Sequence, residues 1–142
     1  MGSVCISLLL YKILRFKSVA VSCNGKKLNV DVADSPLKQM LGLMHREKLS
    51  ENGGMLFVFS REARYGIWMH NMRIGIDIIW VDSNGKIIDI VEEAKPCRSI
   101  ISCRTYRPRK KAKYVLEIKY GSVKRRRIKI GDKIILPVST WA

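Results

Sequence analysis

Alternating apolar and polar positions, separated by turn signals, run along most of this chain. In KKLNVDVAD, Leu28, Val30 and Val32 alternate with polar residues, which is the two-residue period of a half-buried β-strand. Asn24-Gly25 precedes this segment, and Asn84-Gly85 separates IDIIWVD from KIIDIVEE. Because Asn-Gly favours the left-handed dihedrals of a two-residue turn, the pattern predicts two β-hairpins.

One segment between the hairpins has a helical period instead. Ser35 is a suitable N-cap, and Pro36 suits the first helical position. The apolar residues that follow fall at the spacing of one buried face: Leu37, Met40, Leu41 and Met44. We therefore predict one short helix at about 35–44 and expect its methionines in the core rather than as metal ligands.

Further strands are predicted in the rest of the chain. MLFVF is a short apolar strand, and RIKIGDKIIL predicts a strand, a turn at Gly131-Asp132 and a last strand. In KYVLEIKY, Tyr114 and Tyr120 share a face with Leu116 and Ile118, so we expect both tyrosines to point inward. The 142 residues suit a single domain, 1–142, and the elements predict a mainly β fold, a β-sandwich or jelly-roll-like barrel with one short helix.

The positive charge is concentrated in one segment. Of the formal net charge of +15, residues 95–133 carry +13, from 15 basic and 2 acidic residues. Such a field attracts nucleic acid, an anionic membrane or an acidic partner, although a solvated basic face that maintains solubility is the alternative. The run KRRR is expected to point largely to solvent. The candidate polyanion-binding residues are Arg104, Arg107, Arg109, Lys110, Lys111, Lys124, Arg125, Arg126 and Arg127.

Composition and cysteine spacing narrow the class of protein. The composition, with abundant isoleucine and a single glutamine, resembles that of heat-adapted proteins. The apolar stretch 4–14 is too short to span a membrane and lacks the flanks of a signal peptide, so we expect an N-terminal structural element of a cytoplasmic protein. Cys97 and Cys103 are close enough for a disulfide, with free thiols as the alternative, and no spacing indicates a metal site.

The candidate catalytic residues are few. Neither His45 nor His70 has a nucleophile placed near it by the sequence, and no glycine-rich phosphate loop is present. We therefore expect no cofactor and assign no catalytic residue, and an enzyme is the last-ranked of three possible functions. Asp77 and Glu117 lie inside predicted strands, where an unpaired charge is costly to bury, and Arg46 is the expected partner of Asp77.

Several motifs occur in an order that resembles a known family. These are VDVADSPLKQMLGLMHREKL, GGMLFVF, IWMHNMRIGIDIIWVDSNGKII, KPC, YVLEI and IGD. They resemble domain-of-unknown-function family 192, which implies that residues 18–138 form a compact jelly-roll β-sandwich. The family has no agreed activity. Residues 1–17 and the arginines 125–127 lie outside the family pattern. The family positions matched here are Gly42, Leu43, Met44, Arg46, Gly54, Met55, Phe57, Trp68, Met69, Asn71, Asp77, Leu116 and Glu117.

Two functional hypotheses follow. In the first, the protein is a non-enzymatic module for a small polar ligand such as a carbohydrate, because Asn71 and Asp77 flank the MRIGI connection and could face each other there. The proposed ligand-binding set is Arg46, Trp68, Asn71, Asp77 and Glu117. In the second, the basic segment 95–133 binds nucleic acid or another polyanion, mainly through phosphates. Neither hypothesis fixes the oligomeric state.

Overall fold

The computed structural model describes residues 9–10 and 12–137, which form a single mainly β domain, as predicted. The expected N-terminal element at 4–14 lies partly outside the described residues; within it, residues 9–10 and 12–14 are helical. The strands are β1 (Ser18–Cys23), β2 (Lys26–Ala33), β3 (Gly53–Ala63), β4 (Ile67–Trp68), β5 (Ile76–Val81), β6 (Ile87–Ala94), β7 (Thr105–Tyr106), β8 (Ala112–Lys119) and β9 (Ile134–Ile135). Two short helices complete these elements, α1 (Pro36–Leu41) and α2 (Ser122–Arg125).

Seven strands form one curled sheet, in the order β6-β5-β8-β3-β2-β1-β9. The pairs are antiparallel except β2 with β3, which run parallel. Parallel neighbours require a long crossover connection, and here residues 34–52, with α1, supply it. Strands β4 and β7 pair separately and bring the segments around Trp68 and Tyr106 together.

Apolar side chains cover both faces of the central strands. One cluster contains Leu56, Ile79 and Leu116, and the other contains Met55 and Trp80, all fully buried. Strand β5 is buried along its whole length, which explains why IDIIWV is apolar except for Asp77, because a strand covered on both faces does not alternate. In β8 the five residues from Tyr114 to Ile118 are likewise buried on both faces, whereas Lys119 at its end is exposed.

The predicted hairpins are confirmed. Strands β1 and β2 pair across Asn24-Gly25, and β5 and β6 pair across Asn84-Gly85. Both asparagine–glycine turns contain a glycine with positive φ, 73° at Gly25 and 85° at Gly85. In the second turn the Asp82 carboxylate accepts hydrogen bonds from the backbone N–H groups of Asn84 and Lys86, both 2.9 Å long.

The predicted helix is also confirmed, but its buried face is not. The Ser35 hydroxyl accepts a 3.3 Å hydrogen bond from the Lys38 N–H, and Pro36 occupies the first turn. Leu37 and Met40 are exposed, contrary to prediction, whereas Leu41 is buried. The reason is length: the helix ends after six residues at Gly42, so only its last turn meets the core.

Two further predictions near the C-terminus are wrong. RIKI is not a strand, because residues 122–125 form α2 and the segment that follows is irregular, held by the Lys129 N–H donating to the Asp132 carboxylate. Tyr120 is not inward-facing; it is exposed beyond the end of β8, whereas Tyr114 is buried. Alternation predicts facing only within the paired length of a strand.

Residues 97 and 103 are joined by a disulfide in the connection between β6 and β7, with Cα atoms 5.0 Å apart. Cys23 is a buried free thiol. Over the described residues, no helix is long and apolar enough to cross a membrane.

Candidate functional site

A buried carboxyl on β8 is the chemically unusual group of this fold. Glu117 is 4% exposed, and its cross-strand neighbours are Met55 on β3 and Ile78 on β5, both fully buried. Within the described part of the chain, its carboxyl oxygens have no hydrogen-bond or salt-bridge partner. Burial alone raises the pKa of the Glu117 carboxyl from 4.5 to about 8. At neutral pH this group is therefore mainly a protonated acid that can donate one hydrogen bond and accept others.

Glu117 lines a groove of about 190 Å³ between the end of α1 and strand β4, which we call the Glu117 groove. Its walls are mostly apolar and include two large exposed side chains, Trp68 (42% exposed) and Met40 (69% exposed). Phe57 and Gln39 also line it. The groove thus combines an aromatic platform with a few polar groups, which is the usual composition of a small-molecule site.

Strand β4 places the Trp68 ring at the groove. Ile67 pairs with Tyr106 and Trp68 with Thr105, so the two residues of β4 point to opposite faces and Ile67 is the more buried. The imidazole of His70 lies against the indole, with ring centroids 4.8 Å apart and planes tilted by 40°. One face of an exposed indole is thereby held in place beside the groove.

The two loops that border the groove are joined through their backbones. The His45 N–H donates a 2.9 Å hydrogen bond to the Asn71 carbonyl, and both residues have positive φ, 63° and 59°. Gly42, at φ 47°, begins the first loop, and a Cβ there would lie 3.2 Å from the Phe57 ring. The positive φ therefore favours glycine at 42, and a Cβ there would make a tight contact with the Phe57 ring of the groove wall.

The Gln39 amide has a fixed orientation at the groove. Its Nε2 donates to the carbonyls of Ala33 (3.2 Å) and Val58 (2.8 Å). Because both neighbours are acceptors, the nitrogen must face them, which leaves the Oε1 atom as an acceptor without a hydrogen bond among the described residues. The spacing of polar residues gave no signal for Gln39, since it is a helical residue between apolar ones.

The structure brings together only part of the predicted ligand-binding set. Trp68 and Glu117 line the Glu117 groove, whereas Asn71 does not line it and only accepts the His45 N–H hydrogen bond nearby. Arg46 forms a 3.0 Å salt bridge with Asp31 on β2, so the predicted Arg46–Asp77 pair is wrong. The reason is that the parallel β2–β3 pairing brings β2, rather than β5, beside the loop that carries Arg46.

Asp77 has a different environment, and the predicted contact between Asp77 and Asn71 across MRIGI is also wrong. Asp77 is fully buried, and its carboxylate accepts hydrogen bonds from three backbone N–H groups, those of Glu93 (2.8 Å), Gly121 (3.2 Å) and Val123 (2.8 Å). Glu93 and Gly121 have positive φ, 58° and 83°. Asp77 therefore satisfies irregular backbone in the core, whereas Asn71 is exposed.

The basic segment is less solvated than its sequence suggests. Arg126 is 8% exposed, contrary to the prediction that this run points to solvent. Arg125 makes two hydrogen bonds to the Glu51 carboxylate, 2.9 and 3.3 Å, and Arg109 lies 3.4 Å from Asp89. The candidate cations that remain exposed, with no salt bridge to a described residue, are Arg104, Arg107, Lys110, Lys111, Lys124 and Arg127. No cluster of His, Cys, Asp and Glu suited to a metal occurs among residues 9–10 and 12–137.

Comparisons with known proteins agree with this fold. The model of family DUF192, described as Uncharacterized ACR, matches residues 19–136. A UPF0127 protein of Pyrococcus furiosus is 32% identical over 114 residues, covering 78% of this chain and 90% of the relative. A UPF0127 protein of Pyrococcus abyssi is 30% identical over 120 residues, covering 83% and 92%.

Two solved structures have a similar fold. A Novosphingobium aromaticivorans protein of unknown function superimposes with a TM-score of 0.79 at 27% identity, covering 87% of this chain and 89% of that one. A Sinorhizobium meliloti protein, named as a proposed transcription regulator, superimposes with a TM-score of 0.77 at 30% identity, covering 84% and 94%.

Proposed function

This chain belongs to domain-of-unknown-function family 192, and we propose that it is a non-enzymatic module that binds a small polar ligand in the Glu117 groove. One observation carries the proposal: Glu117, an acid with no hydrogen-bond partner among the described residues, is only 4% exposed on the wall of an open groove beside an exposed indole. A buried polar group normally has a partner, because its desolvation is otherwise uncompensated. A bound ligand would supply that partner.

The polar groups of the groove indicate the chemistry of the ligand. The protonated Glu117 offers a donor, the Gln39 Oε1 atom offers an acceptor, and the Trp68 face accommodates an apolar surface. A molecule with hydroxyl groups on its edges and C–H groups on its faces satisfies all three. This pattern supports a carbohydrate-like ligand.

The same inventory favours binding over catalysis. Among the described residues, Glu117 is the one titratable side chain that lines the groove. Acid–base hydrolysis of a glycosidic bond uses two carboxyl groups facing the substrate, and a nucleophile needs a base within hydrogen-bond reach. The groove supplies neither pair.

The test is calorimetric titration with a panel of mono- and disaccharides, using tryptophan fluorescence as a second readout. Trp68→Ala removes the stacking surface and should weaken binding by about tenfold or more. Glu117→Leu places an apolar side chain at this buried position, so the variant should fold at least as well as the wild type. It should no longer bind the ligand, because the hydrogen-bonding carboxyl is absent.

Tyr120→Ala is the matched control, because Tyr120 is a similarly exposed aromatic outside the groove. It should bind as the wild type does. Saturable binding that survives both groove substitutions, or no binding by the wild type to any member of the panel, would contradict the proposal.

A further inference from the structure

A second pocket, remote in sequence from the Glu117 groove, surrounds the buried arginine of the KRRR run. It measures about 370 Å³ and is lined by Lys26, Lys27, Glu51, Asn52, Arg125 and Arg126. Four cations against one carboxylate give these side chains a net charge of +3. Lys26 and Lys27 come from the β1–β2 hairpin, far from the basic segment in sequence, so the fold adds charge that the linear pattern did not reveal.

Arg126 is buried without a counter-ion. Its Nη2 donates to two neutral oxygens, the Glu51 carbonyl at 3.0 Å and the Asn52 Oδ1 at 2.8 Å. Among the described residues, its buried Nε has no hydrogen-bond partner, and no carboxylate lies within salt-bridge distance of its guanidinium. A buried charge is usually paired, because desolvation of an isolated cation is expensive.

The one carboxylate of the pocket is already neutralised. Glu51 is held by Arg125, with an Nε–Oε1 distance of 2.9 Å, and by Lys119, with an Nζ–Oε2 distance of 3.4 Å. Because Arg125 and Lys119 already neutralise Glu51, this carboxylate does not compensate the charges of Arg126, Lys26 and Lys27. For the same reason its repulsion of an incoming anion is offset. Among the described residues, the pocket therefore offers no second carboxylate that could pair with these three cations.

We propose that this pocket binds a phosphate group, with Arg126 as the buried cation and Lys26 and Lys27 closing over it from the hairpin. Phosphate matches the site because its oxygens accept several charge-assisted hydrogen bonds at once, from a planar guanidinium and from flexible ammonium groups. The pocket is larger than the phosphate itself, so there is room for part of the molecule that carries it.

The first experiment is thermal unfolding in inorganic phosphate against chloride at matched ionic strength. Phosphate binding to the folded state should raise the melting temperature with a saturable dependence on concentration. Lys26→Ala/Lys27→Ala, which alters two exposed side chains, should weaken the apparent affinity by about tenfold or more.

Lys17→Ala/Lys48→Ala is the matched control, since it removes the same charge from two exposed lysines outside the pocket. It should leave the phosphate affinity within about twofold of wild type. Arg126→Met keeps the aliphatic stem and should abolish the phosphate effect; if it does not fold, the lysine pair still decides. Equal weakening by both lysine pairs, or no phosphate effect beyond that of chloride in the wild type, overturns the proposal.

Competition identifies the carrier of the phosphate. A nucleoside monophosphate and a short oligonucleotide without a terminal phosphate are each titrated against bound inorganic phosphate. Displacement by the first alone supports the pocket as a site for a phosphate monoester. Displacement by both supports it as a site for a backbone phosphate, and displacement by neither limits it to the free anion.

Discussion

Glu117 lies between Met55 and Ile78 on neighbouring strands, and this placement determines how its protonation affects stability. Its pKa is raised from 4.5 to about 8 in the folded state. Between these values the folded protein retains a proton that the unfolded chain has lost. The contribution of Glu117 is therefore fully present below pH 4.5 and is lost as the pH rises to about 8.

We accordingly predict that Glu117→Gln flattens the pH dependence of stability. A neutral amide cannot ionise, so the free energy of unfolding of the variant should increase relative to that of the wild type as the pH rises from about 5 to about 9. The expected increase is on the order of a few kcal/mol, as the pKa shift implies. Urea unfolding across this range measures the difference. Parallel curves for the two proteins would show that the carboxyl is ionised in the folded state.

At the scale of single residues the sequence indicated that Glu117 is buried, but it did not indicate which carboxylate pairs with Arg46. Glu117 is predicted to be inside a strand among apolar residues, and this is confirmed. That Arg46 pairs with Asp31 depends on which strands are neighbours, and local periodicity contains no such information. Gln39 and Met40 were missed as groove residues for the same reason, because their exposure results from where α1 ends.

At the scale of elements, Asp77 joins parts of the fold that are distant in sequence. From β5 it accepts hydrogen bonds from the end of β6, from the turn between β8 and α2, and from α2 itself. We predict that Asp77→Ala lowers the free energy of unfolding by about 3 kcal/mol or more, because three backbone N–H groups lose their acceptor in a buried place. Urea or guanidinium unfolding measures this loss.

Asp34→Ala is the control for Asp77→Ala. Asp34 is exposed and pairs with Lys38 one helical turn away, at 3.5 Å, so its loss should cost no more than about 0.5 kcal/mol. If the two variants were equally stable, Asp77 would not be a structural anchor, and its role as a ligand-binding residue would have to be considered again.

The elements themselves were predictable where their signals are local. Asparagine–glycine turns and the Ser35–Pro36 helix start depend on residues adjacent in sequence, and each is confirmed. The parallel pairing of β2 and β3 and the turn at α2 depend on contacts with distant residues. Asp77 stabilises the latter turn, so a strand pattern in that segment was overridden by tertiary structure.

At the scale of the whole molecule, the cations of the segment 95–133 fall into two groups, those that contact other parts of the fold and those that are exposed. Arg125 and Arg126 hold the connection before β3 by contacts with Glu51 and Asn52, so they are part of the structure. Lys110 and Lys111 are exposed and form no salt bridge with any described residue. A polyanion assay that replaces the KRRR run would therefore confuse unfolding with weaker binding, and the two lysines are the better probe.

We predict that the protein binds a labelled oligonucleotide with an affinity that falls steeply with salt, as binding through phosphates requires. Lys110→Ala/Lys111→Ala should then lower the slope of log affinity against log salt by about 2, close to one unit for each phosphate that the variant no longer neutralises. Fluorescence anisotropy over a salt series measures it. The control, Lys17→Ala/Lys48→Ala, removes two exposed lysines outside 95–133 and should leave the slope unchanged. Equal slopes for all three proteins would mean that Lys110 and Lys111 neutralise no phosphate in the complex. Any difference in affinity would then follow from the general loss of net charge, and the basic segment would be interpreted as maintaining solubility.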